Sequence, residues 1–121
     1  MENAKIFKEE LLKKNVKNSN TLLNLQNLRL GINSIIALSN SIQNRPVEKL
    51  QLADNAITDY GMHAVKNIIS STRLTSLNLA SNMISGEGLE LFLDDLISNT
   101  TLRHLDLGVV ESSMRKNSLG I

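Results

Sequence analysis

Three residues of this chain have the types that nucleophilic chemistry uses together: Ser76, His104 and Asp106. A hydroxyl, an imidazole that takes its proton and a carboxylate that orients the imidazole form an acyl-transfer group when they meet. His104 and Asp106 are two apart, so an extended segment puts both on one face. Ser76 joins them only if its own segment is the neighbouring strand.

Other groupings offer less. His63 falls in a helical stretch and His104 in an extended one, so the two histidines cannot share a metal. Glu90, Asp94 and Asp95 make one acidic helix face, which reads as solvated surface. Gly86-Glu87-Gly88 lacks the third glycine and the lysine of a phosphate-binding loop. The absence of cysteine excludes a disulfide framework and a thiolate metal site. No cofactor and no metal are expected.

The elements that would hold these residues come from a repeat. Leu25, Leu28, Leu30, Asn33 and Ile35 set a spacing that recurs as Val47, Leu50, Leu52, Asn55 and Ile57, then as Leu74, Leu77, Leu79, Asn82 and Ile84. Leu102, Leu105 and Leu107 begin a fourth copy. The starts at 25, 47, 74 and 102 give periods of 22, 27 and 28. In each copy the alternating leucines make a short strand with one buried face. The asparagine stands where the strand ends. Its amide suits the backbone groups that a turn frees, and stacked copies form a ladder.

After each asparagine the period changes. Gly61, Val65 and Ile69 follow Asn55 at intervals that Gly88, Phe92 and Leu96 repeat after Asn82, a spacing of four that marks one helix face. Ala64 with Ile68, and Leu89 with Leu93 and Ile97, widen the stripe. Thr58 and Ser85 are expected as N-caps, with Asp59 and Glu87 in the first turn where the helix dipole favours them. Gly61 and Gly88 are expected to let helix and strand approach closely. The first copy has no matching glycine, and a shorter helix ended by Pro46 is expected there.

This phase resembles the leucine-rich repeat family, and a period of about 28 with a full helix resembles its ribonuclease-inhibitor-like subclass. The resemblance covers roughly residues 22 to 107. It implies an α/β solenoid, a right-handed superhelix with a parallel concave sheet and convex helices, here a short fragment of about four repeats. It also implies a non-catalytic protein-protein interaction module or scaffold. The subclass includes GTPase-activating proteins, so a regulator of a small GTPase is an alternative, without any residue to carry over.

On such a fold the residues between the leucines face out from the concave sheet in three columns. One is Asn27, Lys49, Ser76 and His104; the next is Arg29, Gln51, Asn78 and Asp106; the third is Gly31, Ala53, Ala80 and Gly108. Column neighbours stand ~4.8 Å apart, the strand spacing. The first two columns are the expected protein-binding residues. The small third column either admits a partner's backbone or relieves crowding where strand becomes turn. Ser76, His104 and Asp106 do become neighbours. Yet an open strand face supplies no oxyanion hole and excludes no water, so solvated polar residues rather than a catalytic centre are expected.

Composition limits the partners. The formal net charge is +1, so no global field favours nucleic acid. Aromatics are 2% with no Trp, so the core is aliphatic and the binding face lacks the usual aromatic anchors. The N-terminus has no apolar stretch of a secretory signal, and no apolar run nears the ~20 residues of a membrane span, so a cytoplasmic protein is expected. The sequon at Asn99-Thr100-Thr101 has no consequence in that setting.

Two ends depart from the pattern. Residues 1–20 hold a segment, Phe7 to Asn15, spaced like Phe92 to Asn99, and are expected to form a helix that caps residues 21–121 or completes a preceding half repeat. Lys5, Lys8, Lys13, Lys14 and Lys17 would allow that helix to lie on an anionic membrane, but Glu2, Glu9 and Glu10 reduce the stretch to +2 (five minus three). At the other end Val110 stands where an asparagine is expected. An insertion over Val109 to Lys116 would let Asn117 and Leu119 restore the signature. The repeats then stop without a polar cap, so either a longer solenoid or a covered end is expected, a homodimer through that end being one cover.

Overall fold

The structure is a computed structural model and describes residues 22–108. The expectations for the N-terminal helix, the 109–116 insertion and the Asn117 signature lie outside the described residues.

Four three-residue strands, β1 (Leu22–Asn24), β2 (Lys49–Gln51), β3 (Ser76–Asn78) and β4 (His104–Asp106), form one parallel sheet in the order β1-β2-β3-β4. The helices between them are α1 (Gly31–Ile42), α2 (Met62–Ser71, entered through a 3₁₀ turn at Asp59–Gly61), α3 (Gly86–Glu90) and α4 (Leu93–Ser98). Strand, turn, helix and return make one coil, and the coils stack in register. Leu23 pairs with Leu50, Leu50 with Leu77, and Leu77 with Leu105. These central leucines point inward, where Leu23, Leu50 and Leu77 are buried with Leu25, Leu52 and Leu79.

That register corrects the phase of the first repeat. The stretch LLNLQNLRL contains two Leu-x-Leu pairs, Leu23/Leu25 and Leu28/Leu30, and the strand is built on the earlier one. Central leucines at 23, 50, 77 and 105 give periods of 27, 27 and 28. Leu28, not Asn33, holds the asparagine position, and Asn33 is an exposed residue of α1. Asn55 decides the matter. Its Oδ1 accepts the Leu28 and Leu30 amides at 3.1 and 3.3 Å, and its Nδ2 donates to the Leu25 carbonyl at 2.9 Å.

The phase also changes the first helix. The 12 residues of α1 make it the longest described, not the shortest. Leu38 and Ile42 fill the places that Val65 and Ile69 fill one coil later, and Ser34 stands where Gly61 and Gly88 stand. A helical face of period four is thus present in all three coils. In the third coil it is interrupted between α3 and α4, where fully buried Phe92 takes the place of Val65 and adopts φ −123°. Ile97 does not widen the apolar stripe: it is 78% exposed.

The expected asparagine ladder is present. Buried Asn82 donates from Nδ2 to the carbonyls of Leu52 at 2.9 Å and Leu79 at 3.0 Å, while its Oδ1 accepts the Asn55 and Ile57 amides at 2.8 and 3.3 Å. On each side of the ladder position the backbone is left-handed: Asn27 and Arg29, Asp54 and Ala56, Ser81 and Met83 all have φ between 52° and 62°. These paired reversals turn the chain toward its helix and aim Asn55 and Asn82 inward, whereas Leu28 at the first turn stays half exposed.

Ser85 is the expected N-cap, its Oγ accepting the Gly88 amide at 3.3 Å. Thr58 is not a side-chain cap. It sits at φ 58°, ψ 178°, and its buried hydroxyl has no hydrogen-bond partner. The glycines also act differently from expectation. A Cβ on Gly61 would meet Ile57, and one on Gly88 would run into the Asp59 carboxylate, so each clears space for the strand-to-helix turn rather than for a strand.

Candidate functional site

The concave face is set by the strand register. Each strand turns its central leucine inward, buried in β1 to β3 and partly buried in β4, and shows the two flanking side chains outward. The first outward column is Leu22, Lys49, Ser76 and His104, and the second is Asn24, Gln51, Asn78 and Asp106. Six of the eight expected binding residues are therefore on this face. Asn27 and Arg29 are not. They occupy the left-handed turn positions after β1, in line with Asp54 and Ala56, because the first coil is phased five residues earlier. Gly31 likewise leaves the third column for the start of α1, at φ 74°, and Gln26 takes its place.

The two columns differ in what their side chains are doing. The second is largely occupied with its own backbone. Asn24, Asn78 and Asp106 each accept the amide two residues on, from Gln26 at 3.2 Å, Ala80 at 2.9 Å and Gly108 at 2.8 Å. These bonds close the strand end as Asx turns do. Asn78 also donates from Nδ2 to Gln51 Oε1 at 3.1 Å, tying β2 to β3 across the face. In the first column no hydrogen bond or ion pair engages the side chains of Lys49, Ser76 or His104 among the described residues. Lys49 and His104 are exposed and Ser76 is half-buried. Leu22, 42% exposed, adds the apolar member that the earlier phase hid.

Ser76 and His104 are in-register partners on adjacent strands, with Asp106 on the same face. The neighbourhood read from the sequence is real, but no hydrogen bond joins the three among the described residues. Asp106 Oδ1 is directed to the Gly108 amide instead. The orienting bond of a catalytic group is not made.

Elsewhere, of the acidic helix residues Glu90 and Asp94 are exposed to solvent, while Asp95 pairs with Lys66 of α2 at 3.6 Å. No group of three or more metal-binding side chains occurs among the described residues. None of the described helices is long and apolar enough to cross a membrane. Asn99 of the sequon works as a turn residue, its Oδ1 accepting the Thr101 and Leu102 amides at 2.9 and 2.7 Å.

With this geometry the comparisons with known proteins agree. A leucine-rich repeat family model matches residues 43–65 and 70–93, the second and third coils. No curated protein matches the sequence. A solved structure of leiomodin-1 actin-binding site 2 superimposes with a TM-score of 0.70 over 94% of this chain and 68% of that one. At 19% identity the likeness is one of fold. The stacked parallel strands, the asparagine ladder and the two matched coils make this a leucine-rich repeat fold, an α/β solenoid of about four repeats.

Proposed function

We propose that the chain is a non-catalytic protein-interaction module that binds its partner through the first concave column, Leu22, Lys49, Ser76 and His104. One observation carries the reading. Lys49, Ser76 and His104 keep unused hydrogen-bonding capacity, while the column beside them is held by its own backbone. A partner meets a flat row of free donors and acceptors with an apolar residue at one end, on a base that does not need to rearrange. Gln51, Asn78 and Asp106 support that row and offer their remaining lone pairs and protons to the same partner.

The fold neighbour supports the same class of function, since its name states that it binds actin. Actin is the first partner to try. The ribonuclease-inhibitor-like subclass, with periods of 27 and 28 and a helix in each coil, keeps the second reading alive: a regulator of a small GTPase.

The experiment is co-sedimentation with filamentous actin, alongside GTP turnover by small GTPases. The variants replace Lys49, Ser76 and His104 together by Ala, a set chosen because none of the three side chains holds the fold. Loss of binding with an unchanged circular dichroism spectrum supports the concave reading. Binding that survives the triple change places the contact elsewhere.

A further inference from the structure

We infer a second contact surface, off the concave face: the cleft between the helix-to-strand returns of the first two described coils takes an acidic segment of a protein partner. The cleft measures about 550 Å³ and is lined by Arg45, Glu48, Ser71 and Arg73, with Pro46 and Thr72. Its walls are two successive returns, held together where the Asn44 amide donates to the Ser71 carbonyl at 3.1 Å. Arg45 and Arg73 come from opposite walls. Among the described residues neither guanidinium has a hydrogen bond or an ion pair.

Two free planar forks facing one cleft are suited to carboxylates, which they bind two bonds at a time. The charge around them points the same way. Of the six Lys and Arg in the described residues, Arg45, Lys49, Arg73 and Arg103 lie on this rim, and Glu48 is its one acid. The opposite rim, where strands lead into helices, holds Asp54, Asp59, Glu87 and Asp106 beside a single Arg29. The solenoid is thus polarised along its strands although the whole chain is close to neutral. A strand of nucleic acid fits less well. It would need aromatic platforms, and Tyr60, the one exposed aromatic among the described residues, lies beyond the strand-to-helix turn instead.

Cations on this rim also complement the C-terminal ends of the helices. That role alone predicts lost stability without lost binding, and the two are separable. Fluorescence anisotropy of a labelled oligoglutamate peptide is measured with the full chain, next to a thermal melt of each variant. Arg45→Gln with Arg73→Gln is expected to weaken the peptide at least about tenfold, and Arg29→Gln on the other rim less than about twofold. The gentler pair Arg45→Lys with Arg73→Lys keeps the charge and the fold but loses the fork, and is expected to weaken binding about threefold. Equal effects from the two rims, no binding by the unaltered chain, or lower melting temperatures with unchanged binding would each overturn the inference. So would displacement of the peptide by inorganic phosphate as readily as by free glutamate peptide, which would assign the cleft to small anions.

Discussion

The side-chain oxygen of Asn82 accepts the backbone amide of Asn55 at 2.8 Å, so the asparagine of one coil builds the turn of the coil before it. Asn55 does the same for Leu28 and Leu30, and among the described residues the chain of asparagines stops there, because Leu28 has no side-chain amide to extend it. The ladder positions the concave columns: it fixes where each strand ends and hence which residues flank the buried leucine. Asn82→Ala leaves the Leu79 carbonyl and the Asn55 and Ile57 amides without these partners, and leaves the Leu52 carbonyl with Asn55 Nδ2 alone. A loss of about 3 kcal/mol or more is expected in urea unfolding, well above that of an exposed substitution such as Asn33→Ala.

Asp59 ties the second coil to the third. Its carboxylate accepts both the Ser85 amide, at 2.8 Å, and the Ser85 hydroxyl, and it lies against the Cα of Gly88. Gly88→Ala is expected to cost about 2 kcal/mol by forcing the carboxylate aside. In an Asp59→Ala background the same change costs less, because the obstacle has gone. Additive losses in this double-mutant cycle would show that the collision is not what requires glycine.

Thr58 carries backbone strain that its counterpart Gly31 avoids. Both donate their amides to a ladder asparagine's carbonyl, Thr58 to Asn82 at 2.8 Å and Gly31 to Asn55 at 2.9 Å. A β-branched residue at φ 58°, ψ 178° is in a region that glycine alone occupies freely. Thr58→Gly removes the strain and the unpartnered hydroxyl, and is expected to raise stability by about 1 kcal/mol despite the more flexible unfolded chain. Thermal melting checks the sign.

The second and third coils are legible from their residues alone, since Asn55 and Asn82 each follow one unambiguous Leu-x-Leu pair. The first is not, because two such pairs lie five residues apart and both alternate correctly. The contact that chooses between them is long-range, from Asn55 to the Leu28 and Leu30 amides. The choice is measurable. Leu23→Ala opens a cavity in the core and is expected to cost about 3 kcal/mol, whereas half-exposed Leu28→Ala costs below about 0.5 kcal/mol. Equal losses would favour the later phase. The arginine rim is hidden for a related reason. Arg45, Arg73 and Arg103 stand at different offsets from Val47, Leu74 and Leu102, so no column of a repeat alignment collects them. The self-engagement of the second concave column is invisible to spacing because it depends on side-chain bonds such as Asn78 to Gln51.

Disulfide trapping tests the central claim, that the 27-residue phase decides which side chains line the concave face. The chain has no cysteine, so paired replacements report without background. Leu22→Cys with Lys49→Cys, and Ser76→Cys with His104→Cys, join in-register partners at a separation a disulfide spans, and both pairs are expected to oxidise within one molecule. Asn27→Cys with Lys49→Cys is expected to stay reduced. A bond between residues 27 and 49, and none between 22 and 49, would contradict the register and with it the binding column.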